Sequence, residues 1–298
     1  MFWENIKEAV TSISSNKMRS LLTMLGIIIG ISSVIIITTI GGSIQSTLTA
    51  TMNSLGGNMV QAYVEARYPE NDEDWATWEQ PEMTDSDYVT QDMIDGLIEK
   101  YPDEVTGVAA QNYLGSGTIK DDADSKNYAN VNIDGITPEY LEYMKLEMHA
   151  GRNLTKADNQ GKKRVCLIAD TMAERYFAGK DPIGETLSVA TSDGGIFDFV
   201  VVGVYVYNQA LFGKVDTSIP EKDRVTELMI PLQTCFKLQG TDRTGYDYFN
   251  LMIDPLADVN QATTDVLSYF DEMYANNKNF HVSAYNMAPD LGIINTVL

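Results

Sequence analysis

The stretch that decides the fold is LLTMLGIIIGISSVIIITTI, Leu21–Ile40, which contains no charged residue. An α-helix rises about 1.5 Å per residue, so this stretch spans roughly 30 Å, the thickness of a bilayer's hydrocarbon core. A cleavable signal peptide has a shorter apolar run followed by small residues in an A-x-A-like pattern, and here the first alanine after the run is Ala50. We therefore expect an uncleaved transmembrane helix over residues 21–41, with a signal peptide as the alternative.

Basic residues flank this span on one side. Lys7, Lys17 and Arg19 precede it, whereas the next basic residue after it is Arg67. Because basic residues beside a membrane helix favour the cytoplasmic side, Lys17 and Arg19 predict a cytoplasmic N-terminus and an extracytoplasmic bulk of the chain. Within residues 1–20, apolar side chains recur at helical spacing, which predicts a short amphipathic helix on the inner membrane face.

The part of the chain predicted to lie outside is strongly acidic. The 298 residues include 21 basic and 42 acidic side chains, of which three basic and two acidic ones precede the span, so the remainder carries 18 against 40, a formal charge of −22. Such a surface repels phosphate backbones and no stretch supplies a basic patch, so we expect no nucleic-acid partner. The charge fits simple solubility or, alternatively, attraction of cationic peptides or metal ions.

Outside the membrane, the pattern predicts an α+β domain that is split between two parts of the chain. Residues 42–57 continue the helix as a stalk, and its two final glycines end it. Residues 58–113 and 245–290 each read as β-α-β, and we expect them to join into one porter-like subdomain. Residues 114–244 form an inserted subdomain of mixed α+β structure, and residues 291–298 approach a further membrane helix.

The individual elements follow from hydrophobic periodicity and from capping and turn residues. Strands are expected at 58–66, 105–111, 128–136, 164–168, 197–207, 227–230, 246–253 and 280–285. Helices are expected at 91–100 with Thr90 as N-cap, at 138–146, 170–177 and 259–274, and from Pro231 onward. A hairpin tip is expected around Gly115, Gly117, Asp121, Asp122 and Asp124.

No motif predicts a catalytic, cofactor or metal site. His149 and His281 are far apart and belong to no zinc motif, so we interpret them as structural residues. Asp122 and Asp124 lack the spacing of a calcium loop, and AGKD at 178–181 lacks the first glycine and the final hydroxyl of a phosphate loop.

Four further side chains have two interpretations each. Cys166 and Cys235 fall in apolar segments and are expected to be small buried hydrophobes, with a disulfide between them as the alternative. Trp75 and Trp78 lie in an acidic loop, residues 67–86, and are expected to fasten it to the domain, with ligand stacking as the alternative.

The span itself carries a packing pattern. Gly26 and Gly30 form a G-x-x-x-G pair, and Ser33 lies close to the same helix face. Such small residues let another helix approach closely, so we predict that these three residues contact a further membrane helix.

Residues 16–31, NKMRSLLTMLGIIIGI, resemble the entry to the first membrane helix of MacB-like ABC transporter permeases of the FtsX/MacB type, where N-K-x-R-[ST]-x-L-T-x-L-G-I-x-I-G-[IV] recurs. Later landmarks of that family follow in the same order. They are LGGN at 55–58, DGITPEY at 134–140, GR at 151–152, GKDPIG at 179–184 and VVGV at 201–204. The resemblance covers essentially the whole chain.

The resemblance implies a permease with four membrane helices and a large extracytoplasmic core domain between the first and second. ATP would be bound by a partner ATPase, with no cofactor in this chain. The implied partners are that ATPase, a second identical or paralogous permease, membrane lipid, and a periplasmic adaptor or cell-surface protein. The sequence ends at Leu298, about where a second membrane helix is expected, so we expect a fragment or a shortened product.

The implied function is mechanical coupling of cytoplasmic ATP hydrolysis to export of a peptide, lipoprotein or toxic compound, with no enzymatic activity in this chain. The first alternative is a single-pass anchored receptor or sensor that binds a peptide or metal. An anchored hydrolase is the second alternative.

Overall fold

The computed structural model describes residues 2–15, 17–54, 59–69, 75, 78–121, 127–212, 218–241 and 243–286. The chain divides into two compact units, one containing Met1–Asn53 and the other Ser54–Ala288. Each unit is described by itself.

The first unit is helical. Helix α1 is Phe2–Ser15 and helix α2 is Lys17–Ser54. The 38 residues of α2 extend over roughly 57 Å at the usual helical rise. In α2 the apolar stretch Leu21–Ile40 is long and apolar enough to cross a membrane, and its side chains are not buried within the protein. The Ser33 hydroxyl donates to Ile29 O at 2.7 Å, which satisfies this polar group within its own helix.

The second unit is an α+β structure. Its strands are β1 Met59–Ala66, β2 Val105–Ala109, β3 Gln111–Lys120, β4 Tyr128–Ile136, β5 Met148–Gly151, β6 Val165–Ala169, β7 Thr186–Thr191, β8 Ile196–Tyr205, β9 Val225–Pro231, β10 Tyr248–Ile253 and β11 Phe280–Asn286. Its helices are α3 Gln91–Lys100, α4 Tyr140–Tyr143, α5 Lys156–Gln160, α6 Asp170–Phe177, α7 Gln209–Phe212, α8 Leu232–Leu238 and α9 Val259–Met273. Short 3-10 turns occupy Asp85–Asp87 and Glu221–Asp223.

A four-stranded antiparallel sheet has the order β11-β1-β10-β2. Helix α3 connects β1 to β2, and strand β10 lies between those two strands in the sheet. Helix α9 connects β10 to β11, and strand β1 lies between them. The two β-α-β units therefore interleave. Alternate residues of β1 are buried, beginning with Val60 and Ala62. They share a core with residues of α3 and α9, where the Phe270 ring lies edge-on to Phe249 at 5.9 Å.

A seven-stranded sheet has the order β5-β8-β6-β9-β4-β3-β7, and β7 also pairs with β8. Six of these strands consequently form a closed ring, to which β5 is added at β8. The long strand β8 closes the ring because residues 196–200 pair with β7 while residues 200–205 pair with β6. Buried side chains from around the ring form a second core, including Ile119, Val131, Phe199 and Leu228. Closure leaves fewer free strand edges.

The expected strand at 128–136 and the expected helices at 91–100 and 170–177 are confirmed with the same bounds. The hairpin tip was placed wrongly at two positions, because Gly115 and Gly117 lie inside β3. Gly115 adjoins a register shift in the pairing of β3 with β4, and a Cβ at Gly117 would lie 2.6 Å from the Val189 side chain. Gly115 thus accompanies a local irregularity in strand pairing, and Gly117 allows β3 and β7 to lie close together. Asp122 and Asp124 fall outside the described residues.

Other expectations are partly corrected and partly confirmed. The helix expected at 138–146 is limited to α4, since Lys145 adopts a left-handed conformation with φ of 50°. The strand expected at 105–111 ends at Ala109, and strands β3, β5 and β7 were not expected. The expected helix around residues 2–13 is confirmed as α1, and the stalk helix continues to Ser54, whereas residues 55–58 fall outside the described residues.

Candidate functional site: the joint between the two sheets

The chain passes between the two sheets twice, and these passages form a joint. The first passage is Ala110 alone, between β2 and β3. The second is the segment 239–247, which leads from α8 back to β10. A movement of one sheet relative to the other would strain these two short connections.

Thr137 holds the first passage. Its N–H donates to Ala110 O at 3.0 Å, and its hydroxyl accepts from Ala110 N–H at 3.1 Å. The same hydroxyl donates to Val108 O at 3.1 Å. Thr137 is 1% exposed, so these bonds are shielded from water. One buried side chain thus satisfies backbone groups of the passage and of the strand that precedes it.

Helix α8 packs into both cores. Leu232 and Phe236 belong to the core of the four-stranded sheet, whereas Cys235 belongs to the core of the ring. A Cβ at Gly135 in β4 would lie 2.3 Å from the Cys235 Cβ. The helix can therefore lie this close to β4 only because residue 135 is glycine.

Arg243 holds the second passage. Its guanidinium carbon lies 4.4 Å from the ring centroid of Tyr88 and 4.5 Å from that of Phe236. Its Nε donates to Gly245 O at 2.9 Å, and its Nη1 donates to Asp247 Oδ2 at 3.0 Å. The side chain is 16% exposed. A planar cation that stacks on two rings and forms an ion pair fixes the returning segment.

A cleft of about 320 Å³ opens beside the joint. Helix α3 contributes one wall, and residues around α4, α5 and α8 contribute the others. The lining residues are Gln91, Asp92, Asp95, Thr137, Pro138, Glu139, Lys156, Asn159, Gln160, Lys162, Gln233, Thr244 and Tyr246.

Glu139 is the partly buried carboxylate of this cleft. Burial raises its pKa, an effect that Lys156 opposes and that Glu142 and Asp95 reinforce. Lys156 Nζ lies 3.8 Å from Glu139 Oε1. Burial also raises the pKa of Tyr246, whose hydroxyl donates to Gln91 Oε1 at 2.5 Å. The cleft thus holds a partly buried carboxylate whose cationic partner, Lys156, only partly offsets the effect of burial on its pKa.

The residues predicted for helix packing and topology lie in the helical unit. A Cβ at Gly26 or Gly30 would meet no atom within 4 Å among the described residues. Arg19 is exposed in α2. Lys17 is the first residue of that helix, and its side chain lies outside the described part of the chain. Two statements stay predictions. Gly26, Gly30 and Ser33 are expected to contact another helix, and Lys17 and Arg19 are expected to set the membrane topology.

The alternative of a disulfide is wrong, because Cys166 and Cys235 are both free and buried. Burial raises the pKa of both thiols, which makes them inert hydrophobic groups as expected. His149 is exposed in β5. Among the residues that the structure describes, no group of three His, Cys, Asp or Glu side chains is placed to hold a metal ion.

One Ser-His-acid juxtaposition bears on the hydrolase alternative. His281 Nε2 lies 3.3 Å from Glu65 Oε1 and 3.4 Å from Ser283 Oγ, while its Nδ1 is buried without a hydrogen bond. In a catalytic triad, the acid and the serine contact different ring nitrogens. Here one nitrogen faces both, and the Ser283 hydroxyl donates to Glu65 itself. The geometry does not favour an activated serine.

The two loop tryptophans have different environments. Trp78 packs against the core of the four-stranded sheet, as expected for a residue that fastens the loop. Trp75 is 48% exposed, and its ring stacks on Tyr68 with a centroid distance of 5.7 Å. Fastening therefore accounts for Trp78, and the half-exposed Trp75 packs on Trp78 with a centroid distance of 5.6 Å.

Sequence analysis did not identify the joint. Thr137 and Glu139 fall within the family landmark at 134–140, so the sequence carried a signal for these two residues. Gln233 and Arg243 carry no local signal, because each also contacts a distant segment: Gln233 N–H donates to Asn159 Oδ1, and the Arg243 guanidinium stacks on Tyr88.

Comparisons with known proteins agree on one family. The family model of the MacB-like periplasmic core domain matches residues 20–269. Over 186 residues, the chain is 32% identical to the uncharacterized ABC transporter permease YknZ of Bacillus subtilis, covering 62% of this chain and 43% of that protein. Over 221 residues, it is 25% identical to the macrolide export ATP-binding/permease protein MacB of Neisseria gonorrhoeae, covering 72% and 30%. The chain thus spans less than half the length of these relatives.

A solved structure shows the same fold. The crystal structure of the periplasmic region of MacB from Actinobacillus actinomycetemcomitans matches with a TM-score of 0.51 and 16% sequence identity. The match covers 83% of this chain and 94% of that one.

Proposed function

Because the chain belongs to the MacB-like periplasmic core domain family of ABC transporter permeases, we propose that it is the permease subunit of an ABC exporter. The resemblance inferred from residues 16–31 is confirmed at the level of the family. In this proposal the subunit works with an ATPase on the cytoplasmic side, and ATP hydrolysis drives export of a peptide, lipoprotein or toxic compound.

The observation that carries the proposal is the extent of the family match. It begins at residue 20, beside the apolar stretch Leu21–Ile40, and continues through most of the second unit. The match therefore includes both the candidate span and the α+β domain, as a permease requires. An anchored receptor would explain the span and the domain but not their match to one transporter family.

The proposed coupling is mechanical. The N-terminus lies in the cytoplasm, and α2 crosses the membrane and extends beyond it as one helix from Lys17 to Ser54. A continuous helix carries axial and tilting movements over its whole length because its backbone hydrogen bonds resist local bending. Movement that begins at the ATPase would reach the extracytoplasmic domain through this helix.

Within that domain, we assign the four-stranded sheet to the porter-like subdomain and the ring to the inserted subdomain. The supporting contacts are the two fixed passages at Ala110 and Arg243, since both limit independent movement of the sheets. A second permease chain, a periplasmic adaptor or cell-surface protein, and lipid around α2 complete the proposed assembly. Gly26, Gly30 and Ser33 would contact a membrane helix of that assembly.

The test is purification of the tagged chain from membranes of its own organism, with untagged membranes as the control. The proposal expects an ABC ATPase to co-purify, and ATP hydrolysis by the complex but not by the chain alone. Co-purification of no ATPase would favour the receptor alternative. Hydrolysis of ATP by the isolated chain would contradict the division of labour between the two subunits.

A further inference from the structure

The cleft beside the joint presents carboxylates on two walls. Asp92 and Asp95 lie on one face of α3, three residues apart, and Glu139 lies opposite at the start of α4. Lys156 Nζ lies 3.8 Å from Glu139 Oε1, and Lys162 lines the same cleft. Because the Lys156 side chain is 71% exposed, water screens this pair, so Lys156 compensates the charge of Glu139 only in part.

Gln233 adds an acceptor that has no donor. This residue lines the cleft and is 9% exposed. Its Nε2 donates to Thr244 O at 2.8 Å, which identifies the nitrogen and the oxygen of the amide, because a flipped amide would place two oxygens together. Its Oε1 is buried without a hydrogen-bond partner. An unsatisfied buried acceptor is costly, and a small rotation about the broad terminal torsion of glutamine would aim it at a ligand donor.

We propose that this cleft binds a primary ammonium group, carried by a lysine side chain of a peptide or by a free aliphatic amine. An ammonium group brings a positive charge for the carboxylates of Asp95 and Glu139 and an N–H for Gln233 Oε1. The volume of about 320 Å³ is roughly ten times that of one liquid water molecule, enough for an aminoalkyl chain. A bare metal ion is a poorer fit, because the described residues contain no group of three metal-binding side chains.

Binding would bridge the two sheets. Asp92 and Asp95 belong to α3, which covers the four-stranded sheet, whereas Glu139 follows β4 of the ring. A ligand that contacts both walls favours the arrangement in which the walls are close. The inference goes beyond the proposed export function, since binding by this chain requires no ATPase.

The test is isothermal titration calorimetry on the full chain in neutral detergent micelles. The probes are the capped peptides Ac-Gly-Lys-Gly-NH2, Ac-Gly-Gln-Gly-NH2 and Ac-Gly-Glu-Gly-NH2, together with 1,4-diaminobutane. We expect the lysine peptide to bind and the other two peptides not to bind. Binding of diaminobutane as tightly as the lysine peptide would support a free amine as ligand, and weaker binding would support a peptide. Equal binding of the three peptides, or preference for the glutamate peptide at Lys156 and Lys162, would overturn the inference.

Variants locate the site. Glu139→Gln should weaken binding of the lysine peptide by about tenfold, the effect of one charged hydrogen bond. Glu174→Gln, the same change at an exposed position of α6, should change it less than twofold. If Glu139→Gln fails to fold by circular dichroism, Asp95→Asn replaces it with the same expectation. Equal losses in the cleft variant and the control would show non-specific attraction to the acidic surface and overturn the inference.

Discussion

Thr137 and Ala110 exchange two hydrogen bonds at the point where the chain leaves the four-stranded sheet. Thr137 N–H donates to Ala110 O at 3.0 Å, and Ala110 N–H donates to Thr137 Oγ1 at 3.1 Å. Both residues are buried. This pair, together with stacked Arg243 at the second passage, means that side-chain contacts hold both passages of the joint.

Replacement of Thr137 by Val should lower the free energy of unfolding by about 2 kcal/mol. Valine has the same shape but leaves Ala110 N–H and Val108 O without the hydroxyl partner they have now, and a buried unsatisfied group costs about 1–3 kcal/mol. Urea unfolding of the full chain in micelles measures the change. Thr137→Ser keeps the hydroxyl and should lose much less, and equal losses in both variants would mean that packing alone matters.

Arg243→Lys should destabilise the protein by about 1–2 kcal/mol, because lysine cannot stack on both rings and bind Asp247 with a planar fork. Arg164→Lys, at an exposed position, is the matched control and should be nearly neutral. Thermal unfolding of both variants gives the comparison. An unchanged midpoint in Arg243→Lys would show that the stack contributes little.

Asp158 should make stability depend on pH. Burial alone would raise its pKa, but hydrogen bonds from Arg152, Thr155 and Lys163 outweigh burial and hold the pKa well below its usual range. A lowered folded-state pKa gives stability that is present above the unfolded-state pKa of about 3.9 and is lost as pH falls toward the folded-state value.

The measurement is urea unfolding of wild type and Asp158→Asn at several pH values between about 2.5 and 7. The stability difference should be large at neutral pH and shrink as pH falls below about 4. Asp271→Asn, an exposed control in α9, should show a small difference at every pH. A constant difference for Asp158→Asn across the range would contradict the assigned hydrogen bonds.

Gly26→Leu together with Gly30→Leu should leave membrane insertion intact, because leucine favours the bilayer. In the assembled transporter, the bulky side chains should displace the neighbouring helix, at a cost of about 1–2 kcal/mol, and reduce assembly. Membrane level and the fraction of assembled complex are the two readouts. Ile27→Leu with Ile31→Leu is the control on another helix face, and equal behaviour of the two pairs would make the glycine pair incidental.

Local signals were sufficient for some elements of the fold. The helix at Gln91–Lys100 was predicted with its bounds because Thr90 is a local N-cap, whose hydroxyl accepts from Met93 N–H at 3.2 Å. Closure of the ring was not predictable, since it depends on pairing of β7 with residues 196–200 of β8. The joint was missed for the same reason, because the neighbours of Gln233 and Arg243 come from distant segments.

The central claim, an extracytoplasmic domain anchored by a membrane helix with a cytoplasmic N-terminus, is tested most directly by cysteine labelling in intact cells. Lys7→Cys and Glu174→Cys place single exposed thiols before and after the span, and the native Cys166 and Cys235 are buried and contribute little background. The account predicts that a membrane-impermeant maleimide labels Glu174→Cys, and that Lys7→Cys reacts only after the membrane is permeabilised. Labelling of Lys7→Cys with protection of Glu174→Cys in intact cells would contradict it.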